Sequence, residues 1–396
     1  GVNSPFSLAP ADSMTAGLGA GEDTRVVSAT TAAQRIVIVG GDGAAVNGSV
    51  TVDADTNDAN TNDLLPILFN TTVTGATVEA LTVNGLAGND GFDVTPGSLP
   101  IFVDGSDPIG TGDTLTVNSG AAAVAFTAGA ENDEGSFVVG TNAPVSFDRI
   151  EGVTVDGDGS ATADLTINGT NADNDITLVG LAMVGLVADD FTVSVDGGPA
   201  IQYTDFSSVT LEGLAGDDDI DIDVNTLAAT AIIINGGDPS SNGDTVTITG
   251  ATGADGDNFT PDAVDGGSLV IAGLNGANAI DINGVESMLY DGENDNEALT
   301  IKSNSGADTI VHIPGSTDDA GTVQVNTLLA LEYTNRGTGA AADGLVDSGG
   351  HTDTLVSLCP DGEDSFTVTT EGDVSLGRRV GVSAAACERL ALERAV

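Results

Sequence analysis

The sequence predicts an all-β fold, a β-solenoid of stacked short strands, and three observations predict it. First, the chain repeats itself with a period of roughly 130 residues, and such self-similarity marks an array of stacked units. Leu81-Thr82-Val83-Asn84-Gly85-Leu86-Ala87-Gly88-Asn89-Asp90 returns as Thr210-Leu211-Glu212-Gly213-Leu214-Ala215-Gly216-Asp217-Asp218. Asp107-Pro108 with Gly112-Asp113-Thr114-Leu115-Thr116-Val117 returns as Asp238-Pro239 with Gly243-Asp244-Thr245-Val246-Thr247-Ile248. Second, runs of alternating apolar and polar residues recur about every 10–12 residues, separated by Gly, Asp and Asn, which is strand patterning with turn punctuation. Arg35-Ile36-Val37-Ile38-Val39 and Thr114-Leu115-Thr116-Val117 are examples. Third, apolar residues are mostly Val, Ile, Leu and Ala, with no Trp and three Tyr. Small and β-branched side chains suit narrow layered β structure. Tandem β-sandwich domains, one to each repeat, remain the alternative architecture, since both predict the same strand density.

Taken in order, residues 1–34 are rich in Ala, Ser, Thr and Gly and read as a flexible N-terminal arm. Residues 35–180 form a first β-repeat unit, 181–315 a second and 316–377 a partial third. Residues 378–396 form a basic terminal segment. Within it Ala384-Ala385-Ala386-Cys387-Glu388-Arg389-Leu390-Ala391-Leu392-Glu393-Arg394 has no breaker, and its composition predicts a helix. Four of the nine basic residues, Arg378, Arg379, Arg389 and Arg394, fall there.

Sixty acidic residues against nine basic give a formal net charge of −51. With 40% hydrophobic residues the chain can still bury a core, unlike an acidic disordered tail. Nucleic-acid binders present basic patches, which this chain lacks, so nucleic acid is excluded as a partner. An anionic membrane surface repels it. No apolar run is long enough to cross a bilayer, so no membrane insertion is predicted. The charge attracts cations, and its self-repulsion points to a saline or calcium-containing exterior. The chain opens on Gly1 with no signal peptide, which reads as a mature secreted product. Cys359 and Cys387 both fall near the end of the chain and read as a disulfide, consistent with an oxidising compartment.

The sharpest local pattern is Gly85-Leu86-Ala87-Gly88-Asn89-Asp90-Gly91-Phe92-Asp93-Val94, matched by Gly213-Leu214-Ala215-Gly216-Asp217-Asp218-Asp219-Ile220-Asp221-Ile222-Asp223-Val224. Asp and Asn supply hard oxygen ligands, and calcium takes six to eight of them at about 2.3–2.6 Å. Asn89, Asp90, Asp93, Asp217, Asp218, Asp219, Asp221 and Asp223 are therefore the candidate metal ligands. On a strand, the period of two sets Ile220, Ile222 and Val224 on one face and Asp219, Asp221 and Asp223 on the other. The plainer reading is a solvated outer face with ordinary turn residues. Asp173, Asn174 and Asp175, like Asp255 and Asp257, are weaker turn candidates. At Gly88, Asp90 and Phe92, and at Gly216, Asp218 and Ile220, the chain resembles the repeats-in-toxin, hemolysin-type calcium-binding repeats of secreted bacterial proteins. Their pattern is Gly-Gly-x-Gly-x-Asp and an apolar residue, with Leu here replacing the second Gly. The resemblance implies a parallel β-roll with Ca2+ between successive turns. More broadly the chain looks like long repetitive bacterial cell-surface proteins.

An enzyme is not expected. Lys302, His312, Arg149, Arg336 and His351 are widely spaced, and His312 in Ile310-Val311-His312-Ile313 reads as an outward strand residue. No Gly-x-Ser-x-Gly, P-loop, His-Glu-x-x-His or Cys-x-x-Cys occurs. The expectation is an extracellular structural protein, an acidic rod that assembles head to tail with its own copies into a filament, sheath or surface layer. The Arg-bearing end of one copy would meet the acidic body of the next. An adhesin stalk, or a fragment of a larger calcium-binding surface protein, is the alternative.

Overall fold

The structure is a computed structural model of the 396-residue chain. It describes residues 80–108, 112–131, 133–157, 163–181, 190–224, 227, 230–239, 242–251, 256–271, 279–294, 298–303, 306–317 and 319–337, with strand segments alone between 6 and 69 and between 344 and 394. The fold is all-β, with long mixed sheets dominated by parallel pairs, and no helix occurs among the described residues.

The terminal segment departs from expectation. Arg389–Arg394 is a strand parallel to Thr354–Cys359, with Arg389 opposite Thr354 and Arg394 opposite Cys359. Val382–Ala385 is also a strand, parallel to Gly344–Asp347. Helix propensity amounts to about 0–0.7 kcal/mol per ordinary residue, and a neighbouring strand that satisfies the backbone outweighs it. The span read as an arm contains the strand Thr24–Ser28, which pairs in parallel with Ala80–Asn84.

The chain divides into two compact units. The first comprises residues 1–168 and 192–207, the second residues 169–191 and 208–396.

In the first unit, Thr24–Ser28, Ala80–Asn84, Ile101–Asp104 and Val145–Asp148 pair in parallel in that order. The second sheet is likewise parallel, through Arg35–Val39, Gly91–Thr95, Thr114–Asn118, Gly152–Asp156 and Ile201–Thr204. Between Ala80 and Asn118 the chain thus alternates between the sheets. Parallel neighbours need a long crossover, and here each crossover is itself a strand of the other sheet. Every second residue is buried, with Leu81, Val83, Phe92, Val94, Leu115 and Val117 at 2% exposure or less. An antiparallel meander, Val124–Ala128, Gly135–Val139 and Val145–Asp148, interrupts the first sheet. Its Phe126, Phe137 and Phe147 rings pack at centroid separations of 5.1 and 5.7 Å.

The second unit follows the same plan. Its second sheet runs parallel through Asp175–Gly180, Asp219–Asp223, Thr245–Thr249, Ser287–Asp291 and Leu331–Thr334. In its first sheet Phe206–Gly216 pairs with Ala231–Pro239, and that strand with Ile280–Asn283. Among the described residues three meanders interrupt these ladders, two in the first sheet and one in the second, the last in chain order being Phe366–Val368, Val374–Leu376 and Val382–Ala385 in the first sheet. Gly256–Ala263, Gly266–Val270 and Ile280–Asn283 lie in the first. Thr309–Pro314, Gly321–Val325 and Leu331–Thr334 lie in the second. The strand leaving each meander pairs with an earlier strand. The strands Gly256–Ala263 and Thr309–Pro314, entering two of the meanders, pair with strands reached later, Ala298–Lys302 and Thr354–Cys359 respectively.

Candidate functional site

The acidic turns resolve into two populations, one inside the fold and one outside. Asp90, Asp113, Asn174, Asp218 and Asp244 each immediately precede a second-sheet strand, and all five are buried. Each lies two positions before the first inward apolar residue, so the alternation of the strand carries its side chain inward. The Asp113 carboxylate accepts the Asp90 backbone N–H at 2.6 Å, and the Glu151 carboxylate accepts the Asp113 N–H at 2.6 Å. In the second unit Asp218 accepts the Asn174 N–H at 2.7 Å, Asp244 the Asp218 N–H at 2.8 Å, and Glu286 the Asp244 N–H at 2.7 Å. Each carboxylate therefore caps the turn before the neighbouring strand. The backbone carbonyls continue the ladder: Asp90 accepts from Thr114 N–H and Asp218 from Thr245 N–H, both at 2.8 Å. Asp90, Asp113 and Glu151 of the first unit thus recur, in the same order and with the same bonds, as Asp218, Asp244 and Glu286 of the second.

Glycines make room for this column. A Cβ on Gly105 would lie 2.6 Å from the second carboxylate oxygen of Asp113, and one on Gly236 2.8 Å from that of Asp244. The same Cβ positions collide with the backbone carbonyls of Arg149 and Gly284. The glycine Cα–H groups instead face these oxygens, a weak donor where no conventional one is present among the described residues. Gly236→Ala should therefore destabilise the second unit by about 2–3 kcal/mol, an overpacking cost against rigid backbone. Thermal unfolding followed by circular dichroism measures it, and an unchanged midpoint would contradict the cradle.

Burial raises the Asp113 and Asp244 carboxyls above the usual aspartate range. The N–H bonds from Asp90 and Asp218 oppose this, and the neighbouring Glu151 and Glu286 add to it.

The remaining predicted ligands face outward. Asp219 and Asp221 are exposed, and Asn89, Asp93, Asp217 and Asp223 are partly so. Asp93 accepts the Asn118 amide at 2.6 Å. Asp217 accepts from the Asn242 backbone and amide at 3.1 and 3.0 Å, and its own N–H donates to Asp173 at 2.9 Å. Asp219 accepts the Thr245 hydroxyl and stands in register with Asp175 of the adjoining strand. The eight predicted residues are thus divided by the backbone, and among the described residues no group of three His, Cys, Asp or Glu converges as a metal site. Asp257 is buried and accepts the Tyr290 hydroxyl, and Asp255 lies outside the described residues. Leu86 and Leu214, at the place of the family pattern's second Gly, hold φ of 75° and 80°. The turn keeps a left-handed geometry that costs a non-glycine residue roughly 1–2 kcal/mol.

His312 corrects the sequence reading. It is 3% exposed and shares the inward parity of Ile310. Its Nε2 lies 2.9 Å from the Tyr333 hydroxyl, with the two rings stacked. Arg336, 1% exposed, places its guanidinium 5.1 Å from the Tyr333 ring centre. Burial, then the Arg336 charge, push His312 down to about 4. Spacing in sequence had left these residues apart, and the meander brings them together. Lys302 is half-buried on the strand Ala298–Lys302, and Arg149 grips Asp104 through two hydrogen bonds. Arg378, Arg379, His351 and Cys387 lie outside the described residues, and of Cys359, Arg389 and Arg394 the strand backbone alone is described.

Comparison with family models, curated proteins and solved structures returns no match.

Proposed function

We propose that the chain is a structural protein of the cell exterior, a β-solenoid rod that assembles head to tail into a filament, sheath or surface layer. The observation that carries this reading is the capping column. Its carboxylates hold each turn to the next, and they recur in both units with the same partners. That is repetition maintained at the level of single hydrogen bonds, as expected where nearest-neighbour interfaces supply the stability. A column of this kind serves extension rather than a reaction, and the buried groups of the second unit are engaged with one another. No catalytic role is proposed.

Calcium enters this reading at the outer face, where Asp175 and Asp219 sit in register and Asp221 and Asp223 follow along one strand. Like charges at strand spacing repel, and a divalent cation relieves that. The test is negative-stain electron microscopy in millimolar calcium and again in excess chelator. Ordered filaments or sheets that disperse in chelator are the expected result. Filaments in both conditions would remove calcium from the reading, and isolated particles in both would overturn assembly.

A further inference from the structure

We propose that a cleft between two turns of the first unit is the docking site for Arg378 and Arg379 of a second copy of this chain. The inference deepens the assembly reading above and rests on it. The cleft, about 70 Å³, is lined by Phe126, Ala128–Glu131 and Glu134 on one side and by Val195, Asp196, Gly198 and Pro199 on the other. It adjoins an outer notch of about 620 Å³ that shares Glu131, Gly198 and Pro199 and adds Asp133, Ile150 and Glu151. Its floor is apolar, with Phe126 at 4% and Val195 at 5% exposure. Its rim carries five carboxylates, Glu131, Asp133, Glu134, Glu151 and Asp196, and among the described residues no basic side chain lines either part.

An apolar floor under an acidic rim fits one kind of side chain. An arginine lays its alkyl stem along apolar surface and offers a planar fork of donors to carboxylates. Lysine is nearly excluded as the source within this chain, because Lys302 is its one lysine. Of the arginines, Arg149 already holds Asp104 with bonds of 3.0 and 2.6 Å, and Arg336 is buried. Arg378-Arg379 is the one adjacent basic pair in the sequence, flanked by Gly377 and by Val380-Gly381. The turns themselves are built to hold position. Glu134 accepts the Glu131 N–H at 2.9 Å and also the Ala130 N–H, and Val195 accepts the Gly198 N–H at 2.9 Å across Asp196 and Gly197, which have φ of 53° and 68°. A preformed cleft spends little ordering entropy on binding.

The test uses the full chain and a fluorescein-labelled peptide of residues 373–383. Anisotropy should show saturable binding that weakens steeply with salt. It should fall at least tenfold for the chain carrying E131Q, D133N and D196N, and for the peptide carrying R378E and R379E. These substitutions leave Glu134 and Glu151 in place, so the turn cap and the carboxylate column persist, and circular dichroism checks the fold. Equal binding by the substituted chain, or none by the wild type, overturns the docking site. Filaments that persist in the R378E/R379E chain also overturn it while leaving assembly standing. A wild-type chain that binds the peptide yet never polymerises overturns the rod and leaves the contact.

Discussion

Replacing Asp244 with alanine is expected to destabilise the second unit by about 3 kcal/mol, whereas asparagine at the same place should cost nothing or stabilise slightly. Alanine removes the acceptor of the Asp218 N–H. A buried donor left unpaired costs about 1–3 kcal/mol, and hydrogen bonds to charged groups contribute about 1.5–3 kcal/mol. Asparagine keeps the acceptor and removes a charge that burial already disfavours. The chain itself makes this exchange at Asn174, which occupies the equivalent position and passes its N–H to Asp218. Hydrogen exchange at the Asp218 amide, with thermal unfolding of both variants, reads the difference. Equal losses for alanine and asparagine would mean that the charge, not the hydrogen bond, matters. Asp113 in the first unit should behave alike, because its bonds to Asp90 and Glu151 match.

Acidification should loosen one meander while it tightens the turns. The unfolded His312 titrates near 6.5 and the folded one near 4, so between these values the unfolded chain takes a proton that the native state refuses. Stability contributed by neutral His312 is complete above about pH 6.5 and is lost as pH falls towards 4. The full difference is about 3 kcal/mol at roughly 1.36 kcal/mol per pH unit. Asp113 and Asp244 have the opposite sign. Their folded pKa lies above the unfolded value, so the cost of burying their charge is relieved as pH falls through it. Hydrogen exchange at pH 7 and pH 4.5 should show lost protection in Thr309–Pro314, Gly321–Val325 and Leu331–Thr334, with none lost around Asp113. His312→Phe should remove that pH dependence at the cost of the Tyr333 bond. A meander equally protected at both pH values would refute it.

Much of this fold is legible in the sequence through parity alone. The alternation in Asp219–Asp223 assigns Ile220 and Ile222 to the core and the aspartates to the surface, as the structure has them. Extended back two residues, the same count puts Asp218 on the core side with Ile220 and Asp90 with Phe92, and carried forward two it puts His312 with Ile310. Residue type had argued otherwise, since Asp and His ordinarily face water. Polar identity conceals the capping column, because position in the strand and not residue type sets which side each carboxylate takes. The repeated Gly-Asp-Thr at 112–114 and 243–245 was visible as duplication without its role, because the partner N–H lies 23 or 26 residues earlier and no local pattern reports it. At Arg389–Arg394 the alternation of Leu390 and Leu392 with charged neighbours competed with helix propensity, and the waiting strand Thr354–Cys359 decided between them.

The meanders of the second unit bear on how such a chain can grow. Each adds two strands to one sheet and none to the other, a lead of about 9–10 Å at the usual strand spacing. A chain that copied one meander alone would leave its sheets out of step, and the next crossing would have no partner at its own level. The smallest segment that duplicates without a mismatch carries one meander for each sheet. The repeat from Asp113 to Asp244 is a duplication that the sequence itself displays.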